Sequence, residues 1–94
     1  MASRYVDLPG GDLVESGLSD LAAGRESIPA LLVASFATRL RRLGVDVPPH
    51  VVEKPETRLY RLIERELGDG AHARYNALIE RIDSFANSFR CVRR

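Results

Sequence analysis

The chain has 94 residues, of which 45% are hydrophobic and 29% charged, and its net charge is +1. That balance excludes a disordered chain and supplies no overall attraction to nucleic acid, while the length sets the expectation of one domain, residues 1–94, around a single small core. A single cysteine excludes an intramolecular disulfide and a cysteine-based zinc site, and suits a reducing, cytoplasmic setting.

Residues 1–11 read as an N-terminal arm. They contain no apolar signal core and carry Asp7 early, so no secretion signal is expected. Tyr5, Val6 and Leu8 offer side chains that can pack on a core. Pro9-Gly10-Gly11 breaks any helix. Asp12 then reads as an N-cap, with Glu15 three residues later in the manner of a capping box. Val14, Leu18, Leu21 and Ala22 share one face, which predicts a first helix over Asp12–Ala23. Gly17 weakens that helix by about 1 kcal/mol relative to alanine, unless a close helix crossing uses the missing side chain. Gly24 ends it, and the link to Ser27 is short enough to make the first two helices neighbours.

Ser27 to Leu43 is the stretch around which the chain is organised. Ser27 is a strong N-cap type, Pro29 fits the first turn, and Gly44 can take the left-handed conformation past the end. About 16 helical residues follow Ser27, roughly four and a half turns. Ile28 through Val33 is apolar or proline throughout, which marks a helix covered on several sides. Phe36, Leu40 and Leu43 continue one stripe. Arg39 interrupts the run well short of the roughly 20 apolar residues that a membrane span needs.

Residues 45–54 form an extended connection, because Pro48-Pro49 and Pro55 disfavour helix. The valines at 45, 47, 51 and 52 lay it along the domain. A third helix begins at Pro55, with Leu59, Leu62, Ile63 and Leu67 as its buried stripe and Gly68 as its stop. Asp69 reads as the cap of a fourth helix from Ala71 to about Cys91, where Tyr75, Leu78, Ile82, Phe85 and Phe89 recur at three- and four-residue spacing. The predicted fold is all-α: a small four-helix domain of two helical hairpins around a central buried helix, about Ile28–Leu43.

Three basic clusters stand out among 14 basic residues, 13 of them arginine. Arg39, Arg41 and Arg42 lie within one turn and suit phosphates or an acidic partner, although cations at a helix C-terminus also complement its dipole. Arg58, Arg61 and Arg65 share a face with Glu64 and Glu66 close by, which reads as a solvated, mixed-charge face where Arg61 can pair with Glu64 at i,i+3. Arg90, Arg93 and Arg94 make the chain's end basic, against Asp7, Asp12, Glu15 and Asp20 near its start. If the first and last helices lie side by side, this polarity is complementary packing; if they lie apart, the basic end is a docking surface.

A DNA-reading helix-turn-helix is disfavoured, because the second helix opens with IPALLVA where base-reading side chains would be polar. His50 and His72 lie on different segments, and neither makes a recognised metal spacing. Cys91 has Arg90 beside it but no histidine near in sequence. No nucleophile, metal or cofactor motif is present, so the expectation is no enzyme, no metal and no cofactor. Tyr60, Arg61, Arg74, Tyr75 and Asn76 flank the turn between the last two helices and are candidates to line a polar groove.

The functional expectation is a non-catalytic helical interaction module that binds a protein partner or forms a homodimer. Its predicted contact residues are Phe85 and Phe89, on a helix end that a small core leaves uncovered, together with Arg39, Arg42, Arg90 and Arg93. The alternative is nucleic-acid or phosphate binding through the arginine clusters, with affinity that falls steeply as salt rises.

Overall fold

A computed structural model describes Tyr5, residues 8–49 and residues 52–92. Five helices and no strand occur among them: α1 (Gly11–Ala22), α2 (Ile28–Ser35), α3 (Ala37–Leu43), α4 (Pro55–Leu67) and α5 (Ala71–Val92). A short 3₁₀ turn over Gly68–Gly70 joins the last two. Since α2 and α3 are two pieces of one broken helix, the expected all-α, four-helix architecture is the observed one.

The first helix begins earlier than predicted, and Asp12 is not its cap. Gly10 occupies that position with φ 73°, and no side chain caps the helix. The chain reaches Gly10 through a turn in which Leu8 N–H donates to the Tyr5 carbonyl at 3.0 Å and Gly11 N–H to the Leu8 carbonyl at 2.9 Å. The reason is packing. A Cβ on Gly10 would collide with the Arg81 carbonyl of α5, so α1 starts where glycine lets two backbones touch. At its far end, Gly24 N–H donates to Leu21 and Arg25 N–H to Asp20, the paired bonds of a Schellman stop.

Gly17 has the close contact that its sequence position called for. A side chain there would meet the Pro29 carbonyl and the Val33 methyl of α2. The side chain of Ser27 accepts the Ala30 N–H at 3.2 Å and so caps α2 as predicted. Ala30, Leu31, Leu32 and Val33 are all buried, and α2 touches each of the other helices.

The central helix is not continuous. The Ser35 hydroxyl donates back to the Leu31 carbonyl at 2.8 Å. At Phe36 the backbone leaves helical geometry (φ −104°, ψ 12°), with its N–H shared between the carbonyls of Leu32 and Val33. A back-bonding serine competes for a helical acceptor and bends the chain, which accounts for the break. The second piece ends as expected at Gly44, with φ 99° and a second Schellman pair: Gly44 N–H to Arg41 and Val45 N–H to Leu40. Leu40 and Val45, the two residues this motif brings together, are both buried.

Val45 and Val47 are buried and Val52 half-buried, so the connection does lie along the core; His50 and Val51 fall outside the described residues. Lys54 precedes Pro55 in the left-handed region, at φ 47°. Leu59 and Ile63 of α4 face the core, but Leu67 is 52% exposed rather than part of the buried stripe, because it sits on the last turn where the chain bends away. Asp69 lies inside the 3₁₀ turn and makes no capping bond. Leu78, Ile82, Phe85 and Phe89 of α5 complete one core cluster with Val14, Leu32 and Leu40.

Candidate functional site

The aromatic end of α5 is covered, contrary to the expectation of an exposed apolar patch. Phe85 is fully buried and Phe89 is 8% exposed. The rings stack on each other at 5.7 Å, and Tyr5 packs edge-on against both, at 5.6 Å from Phe85 and 5.7 Å from Phe89. Tyr5 thus supplies the cover that the helices alone would lack. Phe85 and Phe89 are core residues in this fold, and no docking surface is built on them.

The arginine cluster of α3 is also drawn apart. Arg39 donates to Asp83 Oδ1 at 2.6 Å and to Asn87 Oδ1 at 3.5 Å, while its guanidinium lies 5.9 Å from the Phe36 ring centre. It ties α3 to α5. Arg41 donates to the Pro48 carbonyl at 2.9 Å and ties the connection down. Arg42 and Arg90 are exposed, and neither makes an ion pair among the described residues. Arg93 and Arg94 lie outside the described residues. Arg81 of α5 pairs with Asp12 of α1 at 2.9 Å, so part of the charge polarity along the chain is complementary packing between adjacent helices.

Asp20 carries the one polar relay of the fold's first hairpin. Its carboxylate accepts from the Ser27 hydroxyl at 2.6 Å and from Arg25 at 3.0–3.1 Å. The Ser27 hydroxyl, followed by Arg25, holds the Asp20 carboxyl below the usual aspartate range, because both donors favour the charged form. This relay anchors the start of α2.

His72 pairs with Asn76 at 3.3 Å, His50 is outside the described residues, and Cys91 is exposed. No group of three or more His, Cys, Asp or Glu residues is placed to share a metal ion among the described residues.

What remains is the outer face of α4. Helical spacing places Arg58, Arg61 and Arg65 along about 10 Å of one face. Arg58 donates from Nη1 to both carboxylate oxygens of Glu26 at 2.8 Å. Arg61 and Arg65 form no ion pair among the described residues, the Arg61–Glu64 pair open to them included. These arginines, Glu26, Leu31 and Leu62 enclose a groove of about 340 Å³ between α2 and α4.

On the other flank, Tyr60 and Tyr75 meet edge to face at 5.4 Å, both half-buried. They line a second, open groove of about 440 Å³ with Glu56, Thr57, Arg61 and Glu64. Of the residues predicted to flank this turn, Tyr60, Arg61 and Tyr75 are brought together, whereas Arg74 and Asn76 are not. Arg61 lines both grooves. Glu26 had no signal in the sequence, since it sits in a three-residue link and reaches a partner 32 positions away.

Comparison with protein-family models, with curated proteins and with solved structures finds no significant match. No helix of the described residues is long and apolar enough to cross a membrane.

Proposed function

We propose that the protein is a non-catalytic binding module, and that a protein partner docks on the outer face of α4. The observation that carries this reading is the Tyr60–Tyr75 pair, half-buried at the edge of an open groove, with Arg61, which makes no ion pair among the described residues, beside it. Tyrosine and arginine are the side chains most often responsible for affinity at protein interfaces, because each combines a broad apolar surface with directional hydrogen bonding. A second copy of the chain is one such partner. On this reading the protein works in a reducing cytoplasm, where the exposed Cys91 thiol stays unpaired.

The alternative, phosphate or nucleic-acid binding through arginine clusters, has less support. Arg39 and Arg41 are already held by Asp83, Asn87 and the Pro48 carbonyl. Net charge is +1, which gives little long-range attraction.

The test is Glu64→Trp, which fills the tyrosine groove from an exposed helical position and leaves the core alone. With unchanged melting, this variant loses either concentration-dependent self-association in sedimentation or a protein retained by the wild-type chain from extract. Sedimentation and retention that are both indifferent to the substitution overturn the proposal.

A further inference from the structure

We infer that the groove between α2 and α4 binds an acidic peptide segment, with Arg58, Arg61 and Arg65 taking its carboxylates and an apolar side chain of the segment seated against the half-buried Leu62. The inference rests on the reading of α4 as the binding face and names the chemistry of the partner.

The groove already holds one carboxylate. Glu26 presents both oxygens to Arg58 Nη1 at 2.8 Å, in the arrangement that a ligand's Asp or Glu would adopt. The pair is open to water, with side-chain exposures of 46% for Arg58 and 43% for Glu26, so an incoming carboxylate exchanges for it at little cost. Arg61 and Arg65 continue the row without an ion pair among the described residues. Their forks are suited to planar carboxylates, and the row's length matches about two turns of a partner helix.

The surroundings favour a peptide over a nucleic acid. Leucine forms part of the lining, which suits an apolar anchor and has no use for a sugar-phosphate backbone. A discrete pair of carboxylates around one leucine-sized group meets the pattern of charge and apolar surface that the groove offers.

The probe is a fluorescein-labelled alanine-based helical peptide with Glu and Leu on one face, followed by anisotropy with the full chain. Its controls are the same peptide with Gln for Glu and single-stranded oligothymidylate. The Glu/Leu peptide binds, the Gln form is weaker by at least about tenfold, and affinity falls as salt rises. Arg61→Glu with Arg65→Glu weakens the Glu/Leu peptide by at least about tenfold. Glu26→Gln removes the internal competitor and tightens binding by about threefold, the scale of one exposed ion pair.

Equal binding of the Gln peptide, preference for oligothymidylate, or Glu26→Gln binding no more tightly each overturns the inference. If the acidic peptide fails while Glu64→Trp still abolishes a native association, only the acidic chemistry is wrong. If the peptide binds and the double arginine variant does not weaken it, α4 is not the face that receives it.

Discussion

Asp20 and Ser27 are joined by a 2.6 Å hydrogen bond, and the same Ser27 hydroxyl oxygen accepts the Ala30 N–H at 3.2 Å. One carboxylate at the end of α1 therefore orients the cap of α2. Because the folded state lowers the Asp20 pKa, its contribution to stability is fully present above the ordinary aspartate value of about 3.9. It is lost as the pH falls through the lower folded value. Asp20→Asn should be less stable than the wild type near neutral pH, and the gap should close on acidification. Urea unfolding at several pH values checks this. Ser27→Ala should cost about 1 kcal/mol at neutral pH, the usual worth of a cap.

Gly17→Ala should destabilise the protein by about 1–3 kcal/mol. Alanine favours helix by about 1 kcal/mol over glycine, but a methyl here meets the Pro29 carbonyl and Val33, and α1 must move off α2. Gly24→Ala gives the contrast. Its φ is +80° and nothing lies within reach of a new methyl, so the cost is only the left-handed strain, about 1–2 kcal/mol. Thermal unfolding of each variant tests the attribution. Only the Gly17 variant should also shift the α2 amide resonances.

Tyr5→Ala should uncover the stacked Phe85–Phe89 pair. The loss of one buried aromatic ring costs about 3 kcal/mol, and the freed rings form an apolar patch. We expect a lower unfolding midpoint together with binding of an apolar dye that the wild type does not bind. A Tyr5→Ala protein as stable as the wild type would show that Tyr5 is not a structural part of the core.

Ser35→Ala should relax the break in the central helix. The back-bond from the Ser35 hydroxyl to Leu31 is removed, and alanine favours helix by a few tenths of a kcal/mol, so stability should change by less than about 1 kcal/mol. Residual dipolar couplings across residues 32–40 report the angle between α2 and α3. An unchanged angle would shift the cause of the break from Ser35 to the packing of Phe36.

Helix positions were legible wherever local chemistry decides them: Ser27 caps, Gly24 and Gly44 stop, and Pro55 starts. Gly17 was legible as a crossing because glycine inside an amphipathic helix needs a reason. The misreadings share one cause, which is contact between segments far apart in the chain. Asp12 has the composition of a cap, but the close approach of Gly10 to Arg81 moves the start of α1. Phe85 and Phe89 look uncovered on one helix, and only the fold places Tyr5 over them. Ser35 carried a local signal for the break, which the long apolar stripe masked. At the candidate site, Tyr60, Arg61 and Tyr75 were visible as flanks of one turn. The Glu26–Arg58 pair was not, because no periodicity links a short loop to a helix 32 residues on.

If the outer face of α4 is where this protein meets a partner, a probe placed there is captured by that partner. The most direct measurement is photocross-linking in living cells, with a photoreactive phenylalanine analogue placed at Thr57 on α4 or at Ser19 on α1, both exposed. A discrete adduct, with another protein or a second copy, is expected from position 57 and none from position 19. Adducts from Ser19 alone, equal adducts from both, or none from Thr57 would contradict it.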